Sequence, residues 1–461
     1  MMRMNKNVLL FAGCITLLLY AACSSTDNIP ETVTFNTDVA PILYKNCTIC
    51  HRSGGGGHFS LEYYGIAKRS AGSIAYVVKE RLMPPWPADP HYASFIGERI
   101  LSDRDIKILV KWAAEGAPEG ADSKPPALPT YPQGSEIGTP DMRIPVRPYF
   151  LKANSTDKFL LVKVPFELPA DTFASLIEFI PGNKHVVHHV NGDMVIYDVE
   201  KKKNVFEGNL VVDMALDTAS ILHAFQELGL PNDDGTYPAL QKSVVNYLPG
   251  AIGQLYPDGI GGYKLPRKGV FLLNDIHYGF TSRDDIWDSS YINIFFAKTP
   301  SKRPLQEFQI GTLSSFGTAP VLPDLIIQPN TVKHVYCKYT IPDDISILTV
   351  NPHMHLLGKS FKAYAVQPNG DTIRLISIPR WDFNWQYFYT FKKMVKIPRG
   401  STIFAEGVYD NTRQNLSNPF SPPQLVRDNN GSMKATDEMF QFIVSYLPYQ
   451  QGDENISLER K

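Results

Sequence analysis

The stretch NPHMHLLGKSFKAYAVQPNGDTIRLISI, residues 351–378, combines two strand patterns with a pair of closely spaced histidines. Apolar and polar residues alternate on both sides of Asn369-Gly370, a dipeptide typical of a tight turn between antiparallel strands. The stretch therefore predicts a β-hairpin. His353 and His355 precede it at a spacing of two, so on a strand both imidazoles face the same way and can reach one metal ion.

The composition beyond about residue 120 is that of an all-β protein. Helix signals are sparse there, short alternating runs recur, and the whole chain contains 36 prolines and 32 glycines. A length of 461 residues suggests two to four domains. The net charge of −1 and the absence of any basic run exclude nucleic acid as a partner.

Three further histidines lie in strand-like contexts. His188 and His189 are adjacent in VVHHVN, and a regular strand would point them to opposite faces, so joint ligation requires a β-bulge or a strand end. His277 ends an apolar run, where a lone histidine is more often a core residue than a ligand. Taken together, the five histidines favour metal binding. The remaining candidates, expected at the surface or hydrogen-bonded in the core, are His185, His223 and His334.

The segment KNCTICHRSGGGGHF, residues 45–59, contains the CxxCH signature of covalent c-type haem. Cys47 and Cys50 would form the thioethers, and His51 would ligate the iron. A thioredoxin-type redox pair is an alternative, but its βαβ context is missing. Half of a zinc site is another alternative, for which only His58 and His91 are nearby.

Helix patterns surround this motif. Asn36 or Thr37 can cap a first helix, and Ser102, followed by Asp105, can cap the last one. The predicted buried stripes are Val39, Ile42 and Leu43; Ile74, Val77 and Val78; and Ile106, Leu109, Val110 and Ala113. Three helices around a CxxCH motif resemble a small class I cytochrome c.

A cytochrome of this kind usually supplies a second axial ligand. Met83 is the candidate, because two prolines fix the backbone directly after it and suit a thioether held in one position. Alternatively, Met83 merely ends a helix in the core, and His58 or His91 supplies the ligand.

The first 22 residues have the pattern of a secretory signal, with a basic start and an apolar run over Val8–Tyr20. Two alanines before Cys23 resemble the bacterial lipobox, although Tyr20 occupies the usual leucine position. We expect lipidation at Cys23 and a membrane-anchored lipoprotein facing the periplasm or the cell surface of a bacterium. A plain signal peptide cut near Ala22 and an uncleaved anchor are the alternatives.

Four motifs occur in a characteristic order: HH at 188–189, HYG at 277–279, HMHLLGK at 353–359 and DEM at 437–439. This order resembles the copper type II ascorbate-dependent monooxygenases, the family of peptidylglycine α-hydroxylating and dopamine β-monooxygenases. RWDFNWQ at 380–386 and VYDNTRQN at 408–415 also resemble the bacterial members. The resemblance covers about 170–450 and implies two jelly-roll sandwiches, each carrying one copper ion.

The resemblance also implies the ligands of the two coppers. His188, His189 and His277 would hold the electron-transfer copper, and the copper that meets dioxygen would be held by His353, His355 and Met439. These ligand types suit that division. A thioether is soft and favours Cu(I), and methionine is a poor ligand for zinc, the competing metal.

Two positions depart from the peptide-hydroxylating enzyme. Asn351 replaces an arginine that helps to hold the substrate carboxylate, and Asp275 replaces a glutamine. The β-rich part also contains Cys337 as its only cysteine, so it can form no internal disulfide. These departures weaken the case for peptide C-termini as substrates.

The predicted protein is multidomain, with a small all-α domain followed by two all-β domains. Its segments are a lipoprotein signal peptide (1–22), a tether (23–33), a cytochrome c-like haem domain (34–120), a Pro-rich linker (121–145), two jelly-roll sandwiches (146–302 and 303–452) and a tail (453–461).

The predicted function is that of an exported haem–copper monooxygenase with two copper ions and one haem c. It would hydroxylate a C–H bond of a small organic or peptide substrate with dioxygen. Electrons would pass from a redox partner protein or small reductant to the haem, which replaces ascorbate as the immediate donor to the three-histidine copper. The alternative is a non-catalytic copper-binding or electron-transfer lipoprotein. A decayed copper fold would be expected to have broken ligand sets.

Overall fold

The computed structural model of the protein describes most of the chain after the leader. It covers residues 29–459 except for 122, 132–133, 136, 155–157, 214–220, 249–252, 254, 258, 280–283, 315–318 and 430–433. The predicted signal peptide and Cys23 therefore lie outside the described residues. Within the described ranges, no helix is both long and apolar enough to cross a membrane.

The chain divides into two compact units that alternate along the sequence. The first comprises the chain up to Asn46, Leu61–Pro84 and Leu101–Leu128. The second comprises Cys47–Ser60, Pro85–Ile100 and the chain from Pro129 onward. The CxxCH segment thus belongs to the second unit, whereas the helices predicted around it belong to the first.

Helices form the regular structure of the first unit. A π-helical turn over Phe35–Val39 leads into the first helix, and Val39, Ile42 and Leu43 are buried as predicted. In the third helix Ile74 and Val78 are buried, and the intervening Val77 is only partly so. The helices are α1 Ala40–Asn46, α2 Tyr64–Arg69, α3 Ala71–Lys79 and α4 Asp103–Ala114. That they form a cytochrome c fold stays a prediction.

Helix α4 begins at the predicted cap but buries a different face. The Ser102 hydroxyl accepts the Asp105 N–H at 3.1 Å, which confirms the cap. The buried residues are Ile108, Leu109 and Trp112. The predicted stripe is wrong for Ile106, Val110 and Ala113, which are partly exposed. The Trp112 ring lies 6.0 Å from the Phe35 ring and its indole N–H donates to the Pro118 carbonyl, so the largest apolar side chain sets the inward face.

Antiparallel strands form a first β-sandwich in the second unit. Its strands are β1 Met142–Pro145, β2 Tyr149–Leu151, β3 Lys158–Glu167, β4 Thr172–Ile180, β5 Val187–Ile196, β6 Val211–Asp213, β7 Ala239–Tyr247, β8 Tyr263–Leu265, β9 Lys268–Tyr278, β10 Ile286–Asp288 and β11 Tyr291–Phe296. The two larger sheets have the orders β1-β11-β4-β8 and β6-β3-β9-β5-β7. One apolar cluster contains Phe179 of the first sheet and Phe271 of the second, so the sheets pack face to face. A short helix, α5 Ile221–Glu227, follows β6.

A second β-sandwich follows in the chain. Its strands are β12 Gln306–Gly311, β13 Ile326–Ile327, β14 Val332–Thr340, β15 Ile345–Met354, β16 Gly358–Val366, β17 Thr372–Ile378, β18 Tyr389–Ile397, β19 Thr402–Asp410, β20 Val426–Arg427 and β21 Phe440–Pro448. The sheets β12-β21-β15-β18 and β14-β19-β16-β17 share one core, in which the rings of Phe361 and Phe442 lie 5.8 Å apart. Strands β16 and β17 form the hairpin predicted at Asn369-Gly370, with Gly370 at a φ of 91°. The prediction of β-sandwiches is confirmed.

The segment Pro85–Ile100 is built into this second sandwich. The Ile96 N–H donates to the Thr390 carbonyl at 2.8 Å. Phe95 is 1% exposed, and its ring lies 5.2 Å from that of Tyr389 in the sandwich core. Burial of an aromatic ring of this size is worth about 1.5–3 kcal/mol, so this segment is part of the sandwich rather than a covering loop.

Candidate metal centres

Three histidines of the first sandwich converge where β5 begins and β9 ends. One ring nitrogen each from His188, His189 and His277 lies within 4.8 Å of the other two. The His277 ring centroid is 5.0 Å from that of His188 and 4.9 Å from that of His189. In the part of the chain that the structure describes, no other group of three or more His, Cys, Asp or Glu side chains has this spacing. The arrangement suits one transition-metal ion bound by three imidazoles.

A β-bulge brings the adjacent pair of histidines to the same place. In the antiparallel pairing of β5 with β9, His189 lies opposite His277 and Val187 lies opposite Tyr278, so His188 is the extra residue. An extra residue bends the strand and allows two successive side chains to share a side. The bulge that joint ligation by His188 and His189 requires is therefore present.

Phe159 on β3 holds the third imidazole in place. It lies opposite His277 in the strand register, and the two rings stack with centroids 4.4 Å apart and planes inclined by 8°. His189 and His277 are each 3% exposed. The ring planes are thus fixed by packing before any ligand binds.

The second set of predicted ligands lies at the end of the β15–β21 pair. Met354 lies opposite Phe440, so the next residues outward, His355 and Met439, follow at the same end of the two strands. The rings of His353 and His355 lie 5.0 Å apart and are nearly perpendicular. The exposed fractions of His353, His355 and Met439 are 7%, 2% and 1%.

Hydrogen bonds to Nδ1 orient both imidazoles of this set. His353 Nδ1 bonds to Gln386 Oε1, and His355 Nδ1 bonds to the Asp437 carbonyl at 3.0 Å. The Gln386 amide donates through Nε2 to the Phe383 carbonyl, which fixes Oε1 as the acceptor. Because both partners are acceptors, each Nδ1 carries the proton, so each Nε2 presents a lone pair that can bind a metal.

A buried carboxylate connects the two strands that carry this set. Glu438 is fully buried, and its Oε2 accepts the N–H groups of His355 at 2.9 Å and of Met439 at 3.3 Å. Its Oε1 accepts the Leu357 N–H at 2.7 Å. Burial raises the pKa of the Glu438 carboxyl, and the three N–H donors oppose that rise. Glu438 thereby fixes the backbone on both sides of the ligands.

One loop of the second sandwich contacts both sets of ligands. The Phe383 ring centroid lies 6.1 Å from that of His189 and 5.7 Å from that of His355. In the same loop, the Trp385 ring lies 6.3 Å from the His188 ring. The two candidate centres are therefore neighbours separated by an aromatic side chain.

Comparison with known families gives a match in the second sandwich. Residues 319–453 match the C-terminal domain of copper type II ascorbate-dependent monooxygenases. This monooxygenase match contains His353, His355 and Met439, and it supports copper-dependent hydroxylation in general. Curated protein sequences give no match. A solved structure titled "Structure of infectious bursal disease virus Gx strain" has 10% identity over 68% of this chain and 77% of that chain, with a TM-score of 0.15, and carries no argument.

The monooxygenase-like sandwich uses Asn351 structurally. Its side-chain amide is buried and donates to the Tyr387 carbonyl at 3.0 Å. The neutral Asn351 amide is therefore hydrogen-bonded to the loop that follows Phe383. The side chain of Asp275, the other departure, is outside the described residues.

The sequence interpretation did not identify the residues that hold the predicted ligands in place. Glu438 and Gln386 lie in the motifs DEM and RWDFNWQ, where only Met439 received a role. The position of Glu438 directly before the predicted ligand Met439 was a signal in the sequence that could have identified it. Phe159 has no comparable signal, because its neighbour across the sheet is 118 positions away in the chain.

The CxxCH segment forms a tight turn. The Cys50 and His51 N–H groups both donate to the Cys47 carbonyl, at 3.1 and 2.8 Å. His51 Nδ1 bonds to the Phe59 carbonyl at 3.1 Å, which leaves Nε2 available as a ligand. Burial raises the pKa of Cys47 to about 12, the opposite of an activated redox thiol.

Two glycines of the GGGG run allow this turn to close. A Cβ on Gly55 would lie 2.2 Å from the Cys50 carbonyl oxygen, and one on Gly57 would lie 2.7 Å from His51 Nδ1. Only a residue without a side chain fits at these two positions.

A cavity of about 390 Å³ lies beside Cys50. Aromatic side chains and cations contribute to its wall, among them Trp86, Tyr387, Arg52, Arg99 and Lys184. Burial raises the pKa of the Cys50 thiol, and the three cations oppose that rise. Cations near a thiol suit a flat group that carries carboxylates, although the wall also includes Glu178 and Glu307 and contains neither Cys47 nor His51. Neither cysteine has the further ligands that zinc needs among the described residues.

The remaining candidates can be located individually. Met83 is partly exposed and belongs to the first unit, whereas His51 belongs to the second. Its role as an axial ligand stays a prediction. His58 and His91 are exposed. The three histidines expected to have no ligand role, His185, His223 and His334, are exposed as well, and His223 lies 3.7 Å from Glu227.

Proposed function

We propose that the protein is a copper monooxygenase that hydroxylates a C–H bond of a small organic substrate with dioxygen. The observation that carries the proposal is the convergence of three imidazoles on one side of Phe383. On its other side lie His353 and His355, at the strand end that also carries Met439. One oxygen atom would enter the substrate and the other would leave as water, with two electrons and two protons supplied by the reductant.

The donor types divide the work between the sets. When bound, copper at both sets supplies the one-electron and dioxygen chemistry that side chains lack. The thioether of Met439 favours Cu(I), the oxidation state that reacts with dioxygen. A thioether is also a poor ligand for zinc. Three imidazoles without a thioether accept both copper oxidation states, which suits electron storage at His188, His189 and His277.

The chain contributes orientation and exclusion of water. Gln386 and the Asp437 carbonyl hold the protons on the Nδ1 atoms of His353 and His355, so the Nε2 atoms would be the copper ligands. Glu438 fixes the backbone N–H groups around both strands. His353, His355 and Met439 are at most 7% exposed, and such enclosure strengthens electrostatic interactions at the reacting atoms.

The neutral residue at position 351 bears on the substrate class. Asn351 carries no charge and donates to the protein backbone, so it offers no ion pair to a substrate carboxylate. A neutral small organic molecule is therefore preferred over a peptide C-terminus.

We extend the proposal to the N-terminal region. Cys47 and Cys50 would attach a haem c, His51 Nε2 would ligate its iron, and Met83 would be the second axial ligand. The haem would deliver electrons in place of ascorbate. Lipidation at Cys23 would anchor the protein at a bacterial membrane, facing the periplasm or the cell surface.

The glycine run gives a test of haem attachment. Gly55→Ala is expected to abolish most covalent haem, because its Cβ would overlap the Cys50 carbonyl oxygen, and overpacking of this kind costs about 1–3 kcal/mol. Haem per chain is measured from the pyridine haemochrome after denaturing electrophoresis. Gly72→Ala, where a Cβ meets nothing within 4 Å, is the control. Release of the haem of the unmodified protein by acidic acetone would contradict covalent attachment.

Oxygen uptake by the reduced, copper-loaded protein tests the monooxygenase activity. Small organic substrates are supplied with labelled dioxygen, and one labelled atom is expected in the hydroxylated product. The alternative, a non-catalytic electron-transfer lipoprotein, would oxidise its donor and bind both coppers but incorporate no label from any substrate. That result would overturn the proposed activity.

A further inference from the structure

Residues 383–387, the sequence FNWQY, contact three sites that have separate roles in the proposed function. These sites are the cavity beside Cys50, the three-histidine set and the set that contains His355. Tyr387 lines the cavity beside Cys50, Trp385 contacts His188, and Phe383 lies between His189 and His355. All of these residues belong to the same compact unit of the chain.

Aromatic rings form a continuous series from the cavity to the three-histidine set. Trp86 and Tyr387 both line the cavity, with ring centroids 5.4 Å apart. The Tyr387 and Trp385 rings stack at 6.3 Å with planes inclined by 13°. Trp385 in turn lies 6.3 Å from His188. Each ring of the series is therefore in contact with the next ring.

We propose that Tyr387 and Trp385 are the electron-transfer bridge between the haem-attachment segment and His188. This inference rests on the proposed function, since it assumes haem beside Cys50 and copper at the three histidines. One electron leaves ferrous haem, which becomes ferric, and reduces the cupric ion to the cuprous ion. No covalent bond is formed or broken.

The surroundings of Tyr387 indicate how it acts. It is 5% exposed, and its hydroxyl donates to the Pro85 carbonyl at 3.0 Å. A carbonyl cannot take the phenol proton, so Tyr387 does not become a neutral radical by losing it. Its ring instead serves as the medium through which the electron tunnels. The ring, rather than the hydroxyl, is therefore the part that matters.

Hydrogen bonds hold the bridge rigid. The Tyr387 carbonyl accepts from the Asn351 amide, and Gln386, between the two aromatic residues, bonds to His353. The backbone N–H of Trp385 donates to the Asp382 carbonyl at 3.0 Å. Tunnelling rates fall exponentially with the width of any gap, so a fixed stack maintains the rate.

The test uses the full, lipid-free chain with haem and both coppers. The haem is reduced by a flash of photochemical reductant without oxygen, and its reoxidation is followed optically together with loss of the Cu(II) resonance signal. Trp385→Leu and Tyr387→Leu are expected to slow this transfer by an order of magnitude or more. Trp385→Phe and Tyr387→Phe retain a ring and should stay close to the unmodified rate.

The controls separate this inference from the proposed function. Trp287→Leu removes an exposed tryptophan of the first sandwich that lies outside the series. Haem content, copper content and the haem potential are measured for every variant. If one leucine variant loses copper, the transfer rate of the other leucine variant decides the test. Unchanged transfer in a fully loaded leucine variant overturns the bridge alone. Absence of haem or copper from the unmodified protein overturns both proposals.

Discussion

Replacing Met439 with alanine is expected to abolish hydroxylation while the three-histidine set keeps its copper. Met439 is 1% exposed beside His355, so no water-accessible side chain can replace the thioether. We expect copper to fall from two ions to one per chain at limiting metal. Activity should fall by more than the roughly 10- to 100-fold that loss of a ligand's hydrogen-bond partner causes.

The measurement combines metal analysis with X-ray absorption of the cuprous protein, in which the sulfur contribution should vanish. His277→Ala is the complementary variant: it should also lose one copper but retain the sulfur contribution. His334→Ala, at an exposed strand position, is the control and should keep both ions. An intact sulfur contribution in Met439→Ala would show that this methionine is not a ligand.

Replacing Glu438 with alanine is expected to lower the free energy of unfolding of the second sandwich by about 3–5 kcal/mol. Three buried backbone N–H groups lose their acceptor at roughly 1–3 kcal/mol each, and water entering the space recovers part of that. Because His355 and Met439 are two of the three donors, copper affinity at this set should also fall about 10- to 100-fold.

Urea unfolding of the full chain measures the first effect, and copper competition with a chelator measures the second. Glu438→Gln is the informative comparison, because it keeps the volume but presents an NH₂ group to at least one N–H donor. It should fall between the alanine variant and the unmodified protein. Glu454→Ala removes an exposed carboxylate and serves as the control. Equal stability of Glu438→Ala and Glu454→Ala would contradict the role assigned to the buried carboxylate.

Local patterns predicted those features whose geometry is set within a few residues. The spacing of His353 and His355 places both side chains on one side of a strand, because the strand period is two. Asn369-Gly370 specifies its turn through backbone conformation, and Ser102 caps α4 by a bond to a residue three positions on. The face of α4 was predicted less well, since Trp112 packs on a residue 77 positions earlier, and that distant contact outweighs the local stripe.

The kinds of ligand and the need for a bulge at His188-His189 follow from the amino-acid sequence alone. Which residues meet depends on the three-dimensional fold, because strand register and sheet order join positions far apart in the chain. In the folded protein His277 lies opposite His189, the Phe159 ring stacks on His277, and the buried Glu438 side chain accepts the His355 N–H. The fold also joins the CxxCH segment to the β-rich unit rather than to the helices around it in sequence. Packing of buried aromatic and apolar surface, which acts between distant segments, is the physical reason for each of these placements.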